Sequence, residues 1–364
     1  MSIQILRDNC KQRQFRKIFR DNRKRRDGFG LCRLSVVLYG GEIERREEQL
    51  KKFILKKLGL FIFVFLGITF LSFGLTYLAP SDPAEIQLNK TGVVPTEELL
   101  ERTREEMGLN RPLLVRYGEW LFGMFQGDMG DSLRNGKPVA EELAKALPKT
   151  LLLAAVSMAV VITLSIPVGI LCARLKNRAF DLAVRFVTYL FASLPSFFLS
   201  LAALYFFSVQ LGWLPVIASR SGAKGLIMPV LVLALSLSSW YIRQVRAIVL
   251  EELSKGYLVG SRARGIPEWR ILFFHVLKNS MLPIMTLLGL SLASMLGGTT
   301  IVENIFSWPG LGKLAMDAIS ARDYPVIQGY VVWLALIFLL VNFLVDLSYG
   351  LLDPRVRKGQ VERK

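Results

Sequence analysis

The chain has one histidine, His275, and three cysteines, Cys10, Cys32 and Cys172, with no CxxC spacing. That inventory excludes a histidine-based metal triad, a Ser-His-Asp nucleophile system and a disulfide framework. Gly310-Leu311-Gly312-Lys313 has glycines and a lysine, but not the upstream glycine, the following Ser/Thr or the preceding strand of a phosphate loop. Any ATP used with this chain must therefore be bound by another one. The ten methionines stand mostly in apolar context, where Met fills gaps far more often than it ligates a soft metal. Glu303 and Asp346 fall at the ends of apolar stretches, where interfacial water is expected to solvate them. A proton-coupled carrier would more often hold its carboxylates mid-stretch. No catalytic, cofactor or metal-binding residue is assigned, and the expectation is a chain that is not an enzyme.

What positions the remaining residues is a set of membrane spans. The 364 residues are 52% hydrophobic, and the apolar ones come in blocks. Six blocks, Leu58–Leu78, Thr150–Ala173, Phe186–Val209, Leu226–Ile242, Asn279–Val302 and Tyr324–Val345, have the length that about 30 Å of hydrocarbon requires. Backbone groups in lipid need internal partners, so each is expected to be a helix. The fold class is an all-α membrane protein of six transmembrane helices. Lys and Arg gather at 51–57, 174–185, 243–270 and 355–364, which places these segments and both termini on the cytoplasmic side. Pro167, Pro195, Pro229 and Pro283, with Gly297-Gly298, interrupt the spans as in bundles that change shape.

Residues 1–57 carry 17 Lys/Arg against 7 Asp/Glu, most of the net charge of +17. They read as a basic, partly disordered cytoplasmic arm drawn to anionic lipid. No nucleic-acid module is present, and the flank Lys51–Lys57 is complete enough for translation to start near Lys51. The transmembrane domain spans 58–350, with an extracellular loop at 79–149, a cytoplasmic loop at 249–280 and a C-terminal tail at 351–364. Within the first loop, Thr96 is a candidate N-cap for a helix ending at Gly108, and Arg111-Pro112 opens another. Gly127 to Ser132 is turn chemistry.

The segment Glu251–Pro283 is too elaborate for a chain reversal. Gly265 breaks one helix, Pro267 fits the first position of the next, and Glu268 suits its positive end. Trp269, Phe273 and Val276 recur on one face of a three-turn helix reaching Lys278, flanked by Arg270 and Lys278. Such a helix either docks a soluble partner or lies on the membrane surface.

This loop resembles the EAA loop of permease subunits in binding-protein-dependent ABC importers. Gly265 matches the family's glycine, whereas Val259-Gly260-Ser261 stand where its EAA triplet would be. Tyr257, Ser261, Arg262, Ala263, Arg264 and Gly265, then Phe273, His275 and Asn279, resemble the dipeptide, oligopeptide and nickel branch. Ile301 to Gly312, Arg322 to Gly329, Asn342 to Asp346, Leu352 to Arg355, Gly108 to Pro112 and Gly127 to Ser132 resemble further motifs of that branch. The resemblance covers about 51–358 and implies the type I ABC importer permease fold, in the inner (plasma) membrane of a prokaryote. It implies a second homologous permease, two ATP-binding subunits that hold ATP and Mg, and an extracellular solute-binding protein. It also implies that Tyr257, Arg262, Ala263, Arg264, Gly265, Pro267, Glu268, Trp269, Arg270, Phe273 and His275 couple to the ATPase. Asp128, Glu303, Phe306, Pro309, Gly310, Gly312, Asp323, Tyr324 and Pro325 would belong to the gating and outer surface. The solute implied is a nickel or metal chelate or a di-/oligopeptide, with Asp82–Glu98 closer to the nickel type. The competing expectations are an ion-coupled secondary carrier and a membrane scaffold.

Overall fold

The protein is described by a computed structural model covering residues 55–78, 82–90 and 95–352. The expectations for 1–54, for 91–94 and for Asp353–Arg355 lie outside the described residues. The chain divides into two compact units, 1–63 and 64–364. Of the first, the described part is the start of helix α1.

Among the described residues, regular structure is helical, apart from one isolated bridge between Asp131 and Pro138. Helix α1 spans Leu55–Tyr77. Three short helices follow: α2 Pro83–Lys90, α3 Glu97–Glu106 and α4 Leu113–Phe125. Thr96 is the N-cap of α3 but makes no side-chain cap bond; Glu97 and Glu98 fill the first turn, and Gly108 turns the chain with φ +65°. The long helices are α5 Val139–Arg174, α8 Gly222–Leu253, α11 Leu277–Ile305 and α13 Tyr324–Leu352. Between them stand α6 Ala179–Ser193, α7 Ser196–Ala203, α9 Tyr257–Ala263, α10 Glu268–Arg270 and α12 Leu311–Ala321. Five helices are long and apolar enough to cross a membrane, and six spans result when a bent pair counts as one.

That pair is the third expected span. It is broken rather than straight: Ala179–Ser193 and Ser196–Gln210 meet at 100°. Leu194 and Pro195 are both extended, with ψ 128° and 146°, because proline pushes its predecessor out of helical geometry. The span then finishes as π-helix over Leu204–Gln210.

Two expected boundaries move. Helix α5 absorbs residues 139–149 of the expected outer loop. Pro138 stands at its N-cap, Glu141 and Glu142 occupy the first turn, and Val139, Leu143 and Ala146 bury against Leu311, Ala318 and Val326. At 36 residues it is about 54 Å long, so it projects well beyond the hydrocarbon. Helix α10 likewise runs without a break through π-helix Ile271–Val276 into α11. The expected separate helix Pro267–Lys278 is therefore the first part of the fifth span. Pro267 stands at the N-cap, one position earlier than expected.

The main core joins α5, α7, α8 and α11 through residues such as Leu153, Val161, Leu199, Val232, Tyr241 and Ile284. Helices α5 and α8 form the most extensive pair. A Cβ at Gly169 would stand 2.7 Å from Val245 Cβ and 3.0 Å from Ile242 O, so only glycine permits this approach. At one end of α8, Asp181 of α6 takes Arg246 Nε and Nη2 at 2.7 Å each. Arg243 lies over the Tyr189 ring at 4.8 Å.

Candidate functional site

The residues singled out in the sequence gather at the two ends of the bundle. At the end near α12, Glu303 closes a knot. Its carboxylate accepts Thr150 Oγ1–H and Gly312 N–H at 2.8 Å and Lys313 N–H at 3.3 Å. Thr150 Oγ1 in turn accepts Leu311 N–H at 2.8 Å. The carboxylate thus occupies the positive N-terminus of α12, and the side chain is fully buried. This corrects the expectation that interfacial water solvates Glu303. Gly310 and Gly312 exist for the same reason: a Cβ on Gly310 would lie 2.4 Å from Glu303 Oε2, and one on Gly312 2.4 Å from Thr300 Cα.

A second carboxylate, Asp323, ties two motifs together across almost two hundred residues. It accepts Ser132 Oγ–H at 2.5 Å, Leu133 N–H at 3.0 Å and Arg134 N–H at 3.1 Å. It is 2% exposed. Asp128 turns the same loop by accepting Gly130 N–H at 2.9 Å. Of the nine residues expected at this end, Asp128 and Pro309 are exposed, and Tyr324 and Pro325 are half-buried. Glu303, Phe306, Gly310, Gly312 and Asp323 are interior, so they hold the surface in place rather than present it. Ser132 stood in the Gly127–Ser132 motif, but Thr150, Leu133 and Arg134 were missed in the sequence; a polar residue at the mouth of an apolar block is the only signal that marks Thr150.

At the opposite end, α9 stops in a Schellman turn. Gly265 has φ +74°, its N–H donates to Arg262 O at 2.9 Å, and Ile266 N–H donates to Ser261 O at 3.3 Å. A Cβ at Gly265 would meet nothing within 4 Å, so the requirement for glycine is conformational. Arg262 Nε donates to Glu268 Oε1 at 2.7 Å, bracing the turn. Leu258, Ile271 and Val276 anchor the loop from within, fully buried. Arg262, Ala263, Arg264, Pro267, Glu268 and Arg270 are all exposed, and His275 is half-buried.

The loop also exposes an apolar group. Tyr257, Val259, Trp269, Phe273 and Phe274 are all more than 40% exposed. Val276, expected on the same face as Trp269 and Phe273, is instead buried. The π-helical i→i+5 pattern over Ile271–Val276 shifts the register and brings Trp269 against Phe274, ring centroids 6.5 Å apart. Arg270 lies over the Trp269 ring at 5.2 Å. No group of three or more potential metal-ligating side chains occurs among the described residues.

Residues 165–358 match the family described as binding-protein-dependent transport system inner membrane component, and residues 50–154 match that component's N-terminal family. The oligopeptide transport system permease protein AppB of Bacillus subtilis (strain 168) is 36% identical over 84% of this chain and 98% of its own. The metal-staphylopine import system permease protein CntB of Staphylococcus aureus (strain NCTC 8325 / PS 47) is 35% identical over 85% of this chain and 99% of its own. The di/tripeptide transport system permease protein DppB of Pseudomonas aeruginosa (strain UCBPP-PA14) is 34% identical over 84% and 98%. A solved chain of the inward-facing MetNI methionine ABC transporter superposes with TM-score 0.50 at 19% identity, covering 58% of this chain and 96% of that one, and shares the fold.

Proposed function

The chain belongs to the family of inner membrane components of binding-protein-dependent transport systems, and on that premise we propose that its exposed loop 257–275 docks an ATP-binding subunit whose nucleotide cycle drives solute import. The chain is a multi-pass prokaryotic membrane permease of the ABC importer type. The finer reading has the loop end facing the cytoplasm, where ATP is available, in line with the Lys/Arg distribution. ATP and Mg are held by two partner subunits, a second permease completes the pathway, and a solute-binding protein meets the end that carries Asp128, Pro309, Tyr324 and Pro325.

The observation that carries this reading is the exposed loop surface. Tyr257, Val259, Trp269, Phe273 and Phe274 stand out together among Arg262, Arg264 and Arg270. Aromatic residues with arginine are the composition of binding hot spots, and exposed apolar patches on a rigid turn mark docking sites. The ion-coupled alternative would need a free intramembrane carboxylate. Glu303 is held by Thr150 and the start of α12, and Asp181 by Arg246.

The solute proposed is a peptide or a peptide-like metal chelate. Relatives named for oligopeptides, di/tripeptides and a metal–staphylopine complex match over nearly their whole lengths. Copurification tests the assembly: two ATP-binding subunits and a second permease should accompany this chain, and adding the binding protein should stimulate ATP hydrolysis. Isolation of the chain without nucleotide-binding subunits, with uptake that follows a proton gradient instead, would contradict the reading. Competition between oligopeptides and chelated nickel for the binding protein separates the solute classes.

A further inference from the structure

Glu252 belongs to none of the motifs that singled out this loop, yet its carboxylate is where α8, α9 and α11 meet. It lies in the last turn of α8 and is 5% exposed. Its Oε1 accepts Tyr257 Oη–H at 2.6 Å, from the first residue of α9, and Asn279 Nδ2–H at 3.1 Å, from the first turn of α11. Asn279 Nδ2 also donates to Tyr257 Oη at 2.9 Å, which closes a triangle. Lys255 Nζ pairs with the other carboxylate oxygen. The hydrogen bond to Glu252 raises the Lys255 ammonium, and burial together with the same carboxylate raises the Tyr257 phenol. Both side chains therefore remain proton donors to the cluster.

We propose that Glu252 is a positioning residue that locks the loop helix to both neighbouring spans, so that displacement of α9 moves α8 and α11 together. This rests on the reading of the loop as the docking element. The mechanical need is plain from the backbone. Helix α9 joins α8 only through Ser254-Lys255-Gly256 and joins α10 only through Arg264 to Pro267, around Gly265 at φ +74°. A seven-residue helix between two non-helical joints passes little force along the chain. The carboxylate bypasses both joints, linking positions 27 residues apart. Because α10 continues unbroken into α11, whatever holds Asn279 holds the whole fifth span. Charge-assisted hydrogen bonds in a buried setting are the strong kind, and removing one partner leaves the others unsatisfied. Elsewhere on α8, Arg246 bonds Asp181 of α6, so α8 is tied by carboxylates to both α6 and α11.

The experiment uses the complete transporter in lipid vesicles with its binding protein. Glu252→Ala should assemble with normal subunit ratios and hydrolyse ATP at the unstimulated rate. Its binding-protein-stimulated hydrolysis and its solute uptake should fall about tenfold, within the range of ordinary inter-site coupling. Glu252→Gln keeps an acceptor oxygen for Tyr257 and Asn279 and should restore most of the stimulation. Asn279→Ala should lower stimulation too, and the double variant should be no worse than Glu252→Ala alone, since the residues act as one unit. A parallel fall in assembly and in both hydrolysis rates would make Glu252 merely structural and overturn the proposal, as would additive losses in the double variant. If the wild-type transporter shows no stimulated hydrolysis, the docking reading itself fails, and this inference falls with it.

Discussion

Single carboxylates decide the geometry of both ends of this protein. Asp323 accepts three donors from Ser132–Arg134 while 2% exposed, so Asp323→Asn turns an acceptor into a donor facing donors. The expected loss is about 2 kcal/mol, given the cost of unsatisfied buried groups. It should appear as a lower thermal unfolding midpoint of the purified protein, and an unchanged midpoint would refute the bonds from Ser132–Arg134 to Asp323. Glu303→Ala should act in the same direction, because Gly312 N–H and Thr150 Oγ1 lose their acceptor. These roles were only half legible in the sequence. Glu303 and Asp323 stood out inside motifs, but a chain of letters does not say whether a carboxylate at a span end meets water or a helix N-terminus. Glu252 gave no signal, because its partners lie at Tyr257 and at Asn279, on elements whose approach is a tertiary fact.

At the scale of elements, glycine sets what the helices can do. Gly169→Val would place a side chain 2.7 Å or less from Val245, and overpacking of this kind costs about 1–3 kcal/mol. Val245→Ala in the same chain should recover part of that loss; no recovery in the unfolding midpoint would mean that α5 and α8 do not approach as described. Gly265→Val differs in kind, since its Cβ meets nothing and the strain of φ +74° alone costs about 1–3 kcal/mol. It should leave assembly intact while lowering solute moved per ATP hydrolysed. Five of the six spans were legible as length and apolarity, and α3 was legible through Thr96 and Gly108. The 100° break at Leu194-Pro195 was not, although Pro195 marked its position, because a proline says where a helix breaks and packing says by how much. The continuity of α10 with α11 was hidden in the same way. Gly265-Ile266-Pro267 reads as a boundary on its near side, while the π-helical Ile271–Val276 leaves no boundary on the far side.

For the whole molecule, the loop proposed to dock the ATP-binding subunit and the end proposed to meet the solute-binding protein stand at opposite ends of the bundle. Phe306 O and Trp308 tie the end near α12: Ala218 N–H donates to the first at 3.0 Å, and Trp308 Nε1–H donates to Lys149 O at 3.0 Å. Removing residues 1–49, which lie before the matched region, should leave transport intact within about twofold. Loss of uptake with normal membrane insertion would instead give the arm a role of its own. The most direct measurement places a photo-reactive amino acid at Trp269, on the exposed face of the loop, within the assembled transporter. A crosslink to an ATP-binding subunit is expected, with a yield that changes when ATP is added. Crosslinking to lipid alone, with or without ATP, would show that the loop lies on the membrane and would contradict the central claim.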